Sequence, residues 1–148
     1  MVEIRKALIE DGDFILEVRN DESTLKFLHD PKVFSLQDFE LWFENNNPEW
    51  FIIENNDIKV GYLRTKWIEK NKILQVGADI HPSHRGFGYS KMAYQKLFEH
   101  FNYVNKYTLE VFDDNFIAKN LYEKLGFVVV KKYNIENRQS LIMEKNNE

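Results

Sequence analysis

Apolar residues in the amino-terminal third of the chain are spaced in a way that predicts a strand followed by helices. The run VEIRKALI at positions 2–9 is typical of a strand. Asp11 or Asp13 can cap the helix after it, because a short acidic side chain accepts hydrogen bonds from the free N–H groups at a helix start. The apolar positions of this helix are Phe14, Ile15, Leu16 and Val18. We expect the helix to end near RNDES.

A second helix is predicted over about residues 35–46. Ser35, followed three residues later by Asp38, resembles a capping box. The apolar residues that follow recur at helical spacing, namely Leu36, Phe39, Trp42 and Phe43. This periodicity favours core packing for Trp42, although Trp42, Trp50 and Trp67 are also able to stack on a base or a sugar.

The rest of the chain predicts more strands than helices. The β-rich runs WFIIE, KVGYLRTKWIE and ILQVGADIH are separated by the turn-prone groups NND and KNK, which favours an antiparallel meander. A helix to about residue 102, the strand YTLEVF and a helix ending at Gly126 follow. The segments FVVVKKY and RQSLIMEK would close the sheet. This order of elements predicts an α+β or mixed α/β fold.

The composition narrows the class of protein. A chain of 148 residues fits one domain, 1–148, and its 43% hydrophobic and 15% aromatic content excludes a disordered chain. Because the chain has no cysteine, disulfides, thiolate metal sites and a cysteine nucleophile are excluded. The net charge of -4 argues against nucleic acid as the main partner. No apolar run approaches the ~20 residues of a membrane span and the start does not resemble a signal peptide, so we expect a cytoplasmic protein with no membrane partner.

The stretch HRGFGYSK at residues 84–91 contains two of the chain's six glycines. Gly86 and Gly88 lie between a predicted strand and a predicted helix, where backbone N–H groups lack partners. Such groups favour an anion, the missing β carbons let a phosphate approach, and Arg85 can add a charged fork. The alternative is a strand-to-helix turn in which glycine only relieves backbone strain. The spacing fits neither the P-loop nor the dinucleotide-binding motif.

Three segments resemble the GNAT superfamily of N-acetyltransferases. Arg85, Gly88 and Ser90 match its phosphate-loop motif R/Q-x-x-G-x-G/A, with serine in place of the usual glycine or alanine. LEVFDDNFIAKNLYEKLGF at residues 109–127 resembles a strand-to-helix segment of the family, and IRKALIEDGDFILEVRND its first strand and helix. The resemblance implies a mostly antiparallel sheet of about seven strands flanked by about four helices. It also implies acetyl transfer from acetyl-CoA to a primary amine, without a metal.

The same resemblance implies roles for individual residues. The pantetheine arm of acetyl-CoA would lie along the strand before the phosphate loop, where a main-chain N–H would hold the acetyl carbonyl oxygen. The implied cofactor contacts are Ala78, Asp79, Ile80, Arg85, Gly86, Phe87, Gly88, Tyr89, Ser90 and Asn115. Asn115 could instead cap a helix. Tyr122 matches the family's general acid, which protonates the departing thiolate; the alternative is a half-buried helix tyrosine with its hydroxyl in water.

Glu110 is the first candidate for the base that neutralises the acceptor amine. Strand alternation places Leu109 and Val111 on one face and Glu110 on the other, at a position that resembles a proposed glutamate base of some GNAT enzymes. A solvated strand carboxylate explains the same pattern. Asp79 and His81 could relay a proton through water instead, and water alone could serve an electron-poor amine.

ILEVRNDESTLKFL at residues 15–28, followed by FSLQDFELWF at residues 34–43, resembles the substrate-side helices of GNAT enzymes that acetylate amino sugars on nucleotide carriers. Arg19 and Asn20 carry this resemblance, as possible ligands of a nucleotide or sugar oxygen, although a polar helix end explains them too. We therefore expect a small-molecule amine as partner, with a nucleotide-linked amino sugar ahead of a polyamine. A peptide or protein acceptor and a noncatalytic acyl-CoA-binding module are the alternatives. The enzyme is expected to be a monomer or a homodimer.

Overall fold

The computed structural model describes residues 1–147, which contain seven strands and five α-helices. The first half contains β1 (Val2–Lys6), α1 (Gly12–Arg19), α2 (Glu22–Leu25), α3 (Leu36–Asn46), β2 (Phe51–Asn55) and β3 (Ile58–Glu69). The second half contains β4 (Ile73–Ile80), α4 (Tyr89–His100), β5 (Lys106–Phe112), α5 (Phe116–Lys124), β6 (Val128–Ile135) and β7 (Arg138–Asn146). Short 3₁₀ turns, Ile9–Asp11 and Pro82–His84, precede α1 and the glycine loop.

The strands form a sheet in the order β1-β2-β3-β4-β5-β7-β6. β4 pairs in parallel with β5, with Leu74 opposite Tyr107, whereas β1–β2, β2–β3, β5–β7 and β6–β7 pair in antiparallel fashion. The prediction of a mixed α/β fold with a mostly antiparallel sheet of about seven strands is confirmed. The predicted first strand is too long, because β1 ends at Lys6 and the chain turns where the carboxylate of Asp11 accepts the Leu8 N–H at 2.8 Å.

The chain divides into two compact units. The first comprises residues 1–65 and 77–100, and the second comprises residues 66–76 and the described residues from 101 onward. The single-domain interpretation stays a prediction. No helix within residues 1–147 is long and apolar enough to cross a membrane. In the same range, no group of three acidic or histidine side chains is arranged to hold a metal ion.

In the first unit, α1 and α3 bury their apolar faces in a shared core. Its fully or nearly fully buried members are Ala7, Ile15, Leu16, Val18, Phe39, Ile52 and Tyr62. Burying each of the larger aliphatic or phenyl side chains in this core stabilises the folded state by roughly 1.5–3 kcal/mol relative to leaving it exposed. The predicted cap of the second helix is confirmed, since Ser35 Oγ accepts the Asp38 N–H at 3.1 Å. The helix ends at Asn47, which adopts a left-handed φ of 43°.

In the second unit, β5 and β7 supply the buried strand residues. Leu109 and Val111 are buried and Glu110 is exposed, as the alternation predicted. Opposite them on β7, Leu141 and Met143 are buried as well. β5 therefore presents one apolar face to the core and the Glu110 carboxylate to solvent.

A buried carboxylate ties β1 to the start of α1. Asp11 accepts two hydrogen bonds from the Arg5 guanidinium, at 2.8 and 2.9 Å, and its Oδ1 lies 3.0 Å from Lys59 Nζ. Burial opposes ionisation of Asp11. Hydrogen bonds from Arg5, the Leu8 amide and Lys59 outweigh that effect and hold the pKa of the carboxyl well below its usual range.

Replacing this charge should destabilise the first unit in a pH-dependent way. We expect Asp11→Asn to lower the free energy of unfolding at pH 7 by about 1–3 kcal/mol, because Arg5 and Lys59 lose their shared anion. The pKa of Asp11 is lower in the folded protein than in the unfolded chain, where it is about 3.9, so the carboxylate stabilises the fold fully only above that unfolded-state value. This stabilisation is lost as the pH falls from the unfolded-state pKa towards the folded-state pKa. Urea denaturation at pH 7 and pH 3 checks this. The difference between wild type and variant should shrink at pH 3, and the exposed Asp13→Asn control should show neither effect.

Candidate active site

The glycine loop leads from the end of β4 into α4 and has the backbone shape of an anion cradle. Gly86 and Gly88 adopt left-handed φ angles of 85° and 78°. Apart from chain neighbours, a β carbon on either would meet no heavy atom of residues 1–147 within 4 Å. α4 begins at Tyr89, and the first N–H groups of a helix have no intrahelical acceptor. The loop therefore offers open backbone donors to a ligand.

Arg85 fastens the loop to the rest of the first unit. Its Nε donates to the carbonyl oxygen of Ile80 at 3.0 Å. Its Nη1 and Nη2 donate to the hydroxyls of Ser23 at 2.6 Å and Thr24 at 2.9 Å, on α2. All three guanidinium nitrogens thus have protein acceptors. A contact between Arg85 and a cofactor phosphate stays a prediction; Nη1 and Nη2 each carry a second N–H group beyond these three bonds.

An aromatic pair flanks Gly88. The rings of Phe87 and Tyr89 stack with centroids 5.7 Å apart, and Phe87 is 64% exposed. The Tyr89 hydroxyl accepts a hydrogen bond from Asn55 Nδ2 at 3.0 Å, which anchors the start of α4 to the end of β2. Ser90, half-buried, follows in the first turn of α4. The anchoring role of Asn55 was missed from the sequence, since its letter belongs to an ordinary turn.

The last residues of β4 contain a buried charge. Ala78, Asp79 and Ile80 are half-buried, and Asp79 Oδ2 lies 3.3 Å from Arg64 Nε on β3. Tyr62, two residues before Arg64, is fully buried; burial and then the charge of Asp79 raise the pKa of its hydroxyl well above the usual range. The sequence analysis missed Tyr62 and Arg64. Strand alternation predicts that these two residues share a face, but it does not predict that Asp79 lies beside them.

His81 uses both ring nitrogens within the first unit. Its Nδ1 accepts a hydrogen bond from the Ser83 N–H at 3.1 Å, so in the neutral ring the proton is on Nε2. The Nε2–H group donates a hydrogen bond to Glu17 Oε1 at 3.1 Å. The ring also stacks on Phe14, with centroids 6.2 Å apart. These contacts hold His81 in place against α1.

Arg19 and Asn20 clasp the loop between α2 and α3. Arg19 donates to the carbonyl oxygens of Lys32 at 2.5 Å and Asp30 at 2.9 Å, and its guanidinium lies 4.5 Å from the centre of the Phe34 ring. Asn20 Nδ2 donates to the Phe34 carbonyl oxygen at 2.8 Å and its Oδ1 accepts the Phe34 N–H at 3.2 Å. Both side chains therefore shape this loop, and their role as substrate ligands stays a prediction.

A cavity of about 260 Å³ opens beside this loop. Its walls combine apolar and aromatic side chains, Leu16, Phe34, Phe39, Trp42 and Trp50, with the charged side chains of Arg19, Asp30, Asp38 and Arg64. Trp42 is 38% exposed and its ring lies 5.1 Å from that of Trp50. The interpretation that Trp42 packs in the core was wrong. Helical periodicity shows which face of α3 points inward, but part of that face borders the cavity instead of the core.

In the second unit, Glu110 accepts a hydrogen bond from a residue of β6, which lies beyond β7 in the sheet. The Tyr133 hydroxyl donates to Glu110 Oε2 at 2.6 Å. This bond, followed by burial, raises the pKa of Tyr133. Glu110 is therefore an exposed but oriented carboxylate, which agrees with the solvated alternative and leaves its role as a base a prediction.

Asn115 and Tyr122 both lie on the α5 segment. Asn115 is the N-cap of α5, and its Oδ1 accepts the Ala118 N–H at a long 3.5 Å, so the capping alternative is present in the structure. Tyr122 is only 8% exposed and packs edge-to-face on Phe127 at 5.9 Å. It is more buried than the half-buried tyrosine of the alternative interpretation. Its role as general acid stays a prediction.

The acetyltransferase (GNAT) family matches residues 14–127, which is most of the chain. The chain belongs to the GNAT acetyltransferase family. Membership in this family makes it an acetyl-CoA-dependent N-acetyltransferase. No curated protein sequence matches this GNAT acetyltransferase.

Solved structures resemble this GNAT acetyltransferase over nearly their full length. The spermidine N-acetyltransferase from Vibrio cholerae in complex with CoA and spermine has a TM-score of 0.88 at 19% identity, over 99% of this chain and 95% of that chain. The ribosomal-protein-alanine N-acetyltransferase from Brucella melitensis has a TM-score of 0.83 at 18% identity, over 97% and 99%. A GNAT-family acetyltransferase from Bacillus anthracis has a TM-score of 0.84 at 18% identity, over 99% and 95%. At these identities the likeness concerns the fold.

The glycine loop of this GNAT acetyltransferase fits the diphosphate of acetyl-CoA. A diphosphate needs several N–H donors and room close to the main chain, and the left-handed glycines before α4 provide both. The half-buried backbone of β4 immediately before the loop suits a linear pantetheine arm. The acidic and histidine side chains form no metal cluster within residues 1–147, and acetyl transfer from a thioester requires none.

Proposed function

We propose that this GNAT acetyltransferase acetylates the primary amine of a nucleotide-linked amino sugar. The observation that carries the proposal is the cavity of about 260 Å³ in the first unit. Its aromatic walls, which include Phe34, Trp42 and Trp50, supply flat faces on which a sugar or base can stack. Its two arginines, Arg19 and Arg64, supply donors for hydroxyl and phosphate oxygens.

A polyamine is the second candidate acceptor. Asp30 and Asp38 also line the cavity and would attract a cationic amine. The similar enzyme from Vibrio cholerae was solved with spermine. Two arginines in the same walls would repel a chain of ammonium groups, so we place the amino sugar first. A peptide acceptor would suit an open groove better than this cavity.

In the proposed mechanism, the main chain binds and polarises the donor. The N–H groups of loop 85–90 hold the diphosphate, with Arg85 fixing the loop to α2. Bound acetyl-CoA supplies the thioester carbonyl that the amine attacks. A main-chain N–H of β4 within 78–80 donates to the carbonyl oxygen as negative charge develops there, an interaction whose loss costs roughly 3–4 kcal/mol in other acyl-transfer sites.

Side chains of the second unit are assigned the proton transfers. Tyr122 donates its hydroxyl proton to the departing thiolate, and Asn115 contacts the cofactor arm through the side chain that also caps α5. Glu110 accepts the proton of the ammonium group, so that the neutral amine can attack. The attacking nitrogen loses a second proton as the C–S bond breaks, and this proton restores the Tyr122 hydroxyl. The Tyr133 hydrogen bond supports this role by orienting the carboxylate. The burial of Tyr122 supports its role, because a shielded phenol loses less of its donor strength to water.

Adding one methyl group to the loop should weaken cofactor binding. We expect Gly88→Ala to raise the Kd for acetyl-CoA at least about tenfold, equivalent to about 1.4 kcal/mol, because the β carbon blocks the approach of the diphosphate. Isothermal titration calorimetry measures the Kd. Gly126→Ala is the matched control, since Gly126 also has a left-handed φ, 99°, but lies outside the loop. Equal affinities for Gly88→Ala and wild type would contradict a diphosphate in this loop.

Removing the phenol should slow the chemistry and spare binding. We expect Tyr122→Phe to reduce kcat by roughly 10² to 10⁴, with little change in the Kd for acetyl-CoA. Steady-state thiol release gives kcat. Tyr103→Phe, an exposed tyrosine of the same unit, is the control and should keep the wild-type rate. An unchanged rate in Tyr122→Phe would remove this tyrosine from the mechanism.

An acceptor panel tests the proposed substrate class. We expect the highest kcat/KM for a nucleotide-linked amino sugar, because it alone offers both a stacking ring and phosphate oxygens to the cavity walls. The panel also contains the free amino sugar, spermidine and a peptide with a free α-amine, each assayed by acetyl-CoA consumption. A preference for spermidine would favour the second candidate. A preference for the peptide, or acetyl-CoA binding without turnover of any amine, would refute the proposal.

A further inference from the structure

The Arg64–Asp79 pair presents its positive member to the cavity. Arg64 Nε lies 3.3 Å from Asp79 Oδ2, and the side chain of Arg64 is 38% exposed whereas that of Asp79 is 12% exposed. Arg64 lines the cavity and Asp79 does not. A guanidinium has five N–H donors on more than one edge, so a carboxylate on its Nε side does not use its whole donor capacity. The pair therefore holds an arginine at the cavity wall.

Gly77 fixes where that guanidinium lies. A β carbon on Gly77 would lie 2.5 Å from Arg64 Nη2 and 2.7 Å from Arg64 Cζ, which no side chain can tolerate without moving the arginine. Gly77 and Asp79 are two residues apart on β4 and share a face. Arg64 thus lies across the bare backbone at Gly77, with its Nε 3.3 Å from Asp79 Oδ2. β4 specifies the position of this charge with two of its own residues.

Tyr62 is a buried neighbour of the Arg64–Asp79 pair. Its side chain is fully buried, and the pKa of its hydroxyl is raised by burial and by the charge of Asp79, so it stays a neutral neighbour. Arg19 is the other arginine of the cavity, and two of its nitrogens donate to backbone carbonyl oxygens of the loop between α2 and α3. Asp30 and Asp38, the acidic members of the wall, are exposed, where water and salt screen their charges.

We propose that Arg64, positioned by Asp79 and Gly77, is the specificity-determining residue that binds an anionic oxygen, of a phosphate or a carboxylate, on the acceptor. This inference rests on the proposed acetylation of a nucleotide-linked amino sugar and deepens it. Arg64 selects acceptors that carry a negative charge away from the amine. The reacting amine itself does not touch Arg64, so the residue affects acceptor binding more than the chemical step.

Steady-state kinetics of Arg64→Gln provide the main test. The KM for the nucleotide-linked amino sugar should rise at least about tenfold, while the KM for acetyl-CoA and the kcat/KM for the uncharged free amino sugar change less than about twofold. A phosphorylated amino sugar and a carboxylated amino sugar should both lose affinity, and their relative loss identifies the anion. Equal losses for charged and uncharged acceptors would indicate a structural role and overturn the inference, as would an unchanged KM.

Two further variants separate a lost contact from a damaged fold. Arg64→Gln leaves the Asp79 carboxylate without its arginine, so the double variant Arg64→Gln/Asp79→Asn, which buries no single charge, should show the same KM change. Gly77→Ala keeps Arg64 but displaces its guanidinium, and should raise the same KM. A wild-type KM in Gly77→Ala would overturn the positioning by β4. Lys66→Gln, an exposed cation outside the cavity lining, is the charge-matched control.

Binding of uridine diphosphate keeps this inference separate from the proposed function. With CoA saturating the glycine loop, calorimetry should detect uridine diphosphate binding to wild type and at least about tenfold weaker binding to Arg64→Gln. That result would support the anion site even if no amino sugar were acetylated. Absence of binding to wild type, or equal binding to both proteins, would overturn the inference even if the acceptor panel supported the proposed function.

Discussion

The candidate site of the first unit depends on the backbone path from the end of β4 through the glycine loop. The strand must carry a residue without a side chain at 77, where the Arg64 guanidinium lies, and a carboxylate at 79 that pairs with it. The chain must then turn through left-handed positions at 86 and 88 before α4. These demands concern backbone space more than side-chain chemistry. Glycine meets them because L side chains are strained at such φ values and would collide at the close contact.

Arginine has a fastening role at several points of the first unit. Arg5 holds Asp11, Arg19 holds the carbonyl oxygens of the loop before α3, and Arg85 holds the hydroxyls of α2. In each case the planar fork satisfies two or more acceptors at once in a fixed geometry, which the single ammonium group of a lysine does not offer. The sequence interpretation assigned Arg19 and Arg85 to ligands because a fork suits phosphate. The structure shows that both arginines also have acceptors within the protein, and their contacts with ligands stay predictions.

The elements of the fold were predictable because each depends on local pattern. Ser35 and the apolar residues after it marked α3, and alternation around Glu110 gave the correct faces of β5. Trp42 and Arg64 were not predictable in the same way. Helical periodicity does not reveal that Trp42 borders a cavity, and no local rule pairs Arg64 with Asp79 fifteen positions later. Tertiary packing decides such contacts, so the glycine loop was found from its motif whereas the cavity was not.

The cavity's charges can discriminate between acceptors because they differ in exposure. Attraction between an exposed aspartate and an ammonium group is weak in water, since high dielectric and salt reduce it to about 1 kcal/mol or less. A half-buried arginine acts in a lower dielectric, and Arg64 pairs with Asp79 at 3.3 Å. An anionic oxygen at Arg64 therefore gains more than an ammonium group gains at Asp30 or Asp38. This difference, rather than the equal count of arginines and aspartates in the wall, favours an acceptor that combines an amine with a distant negative charge.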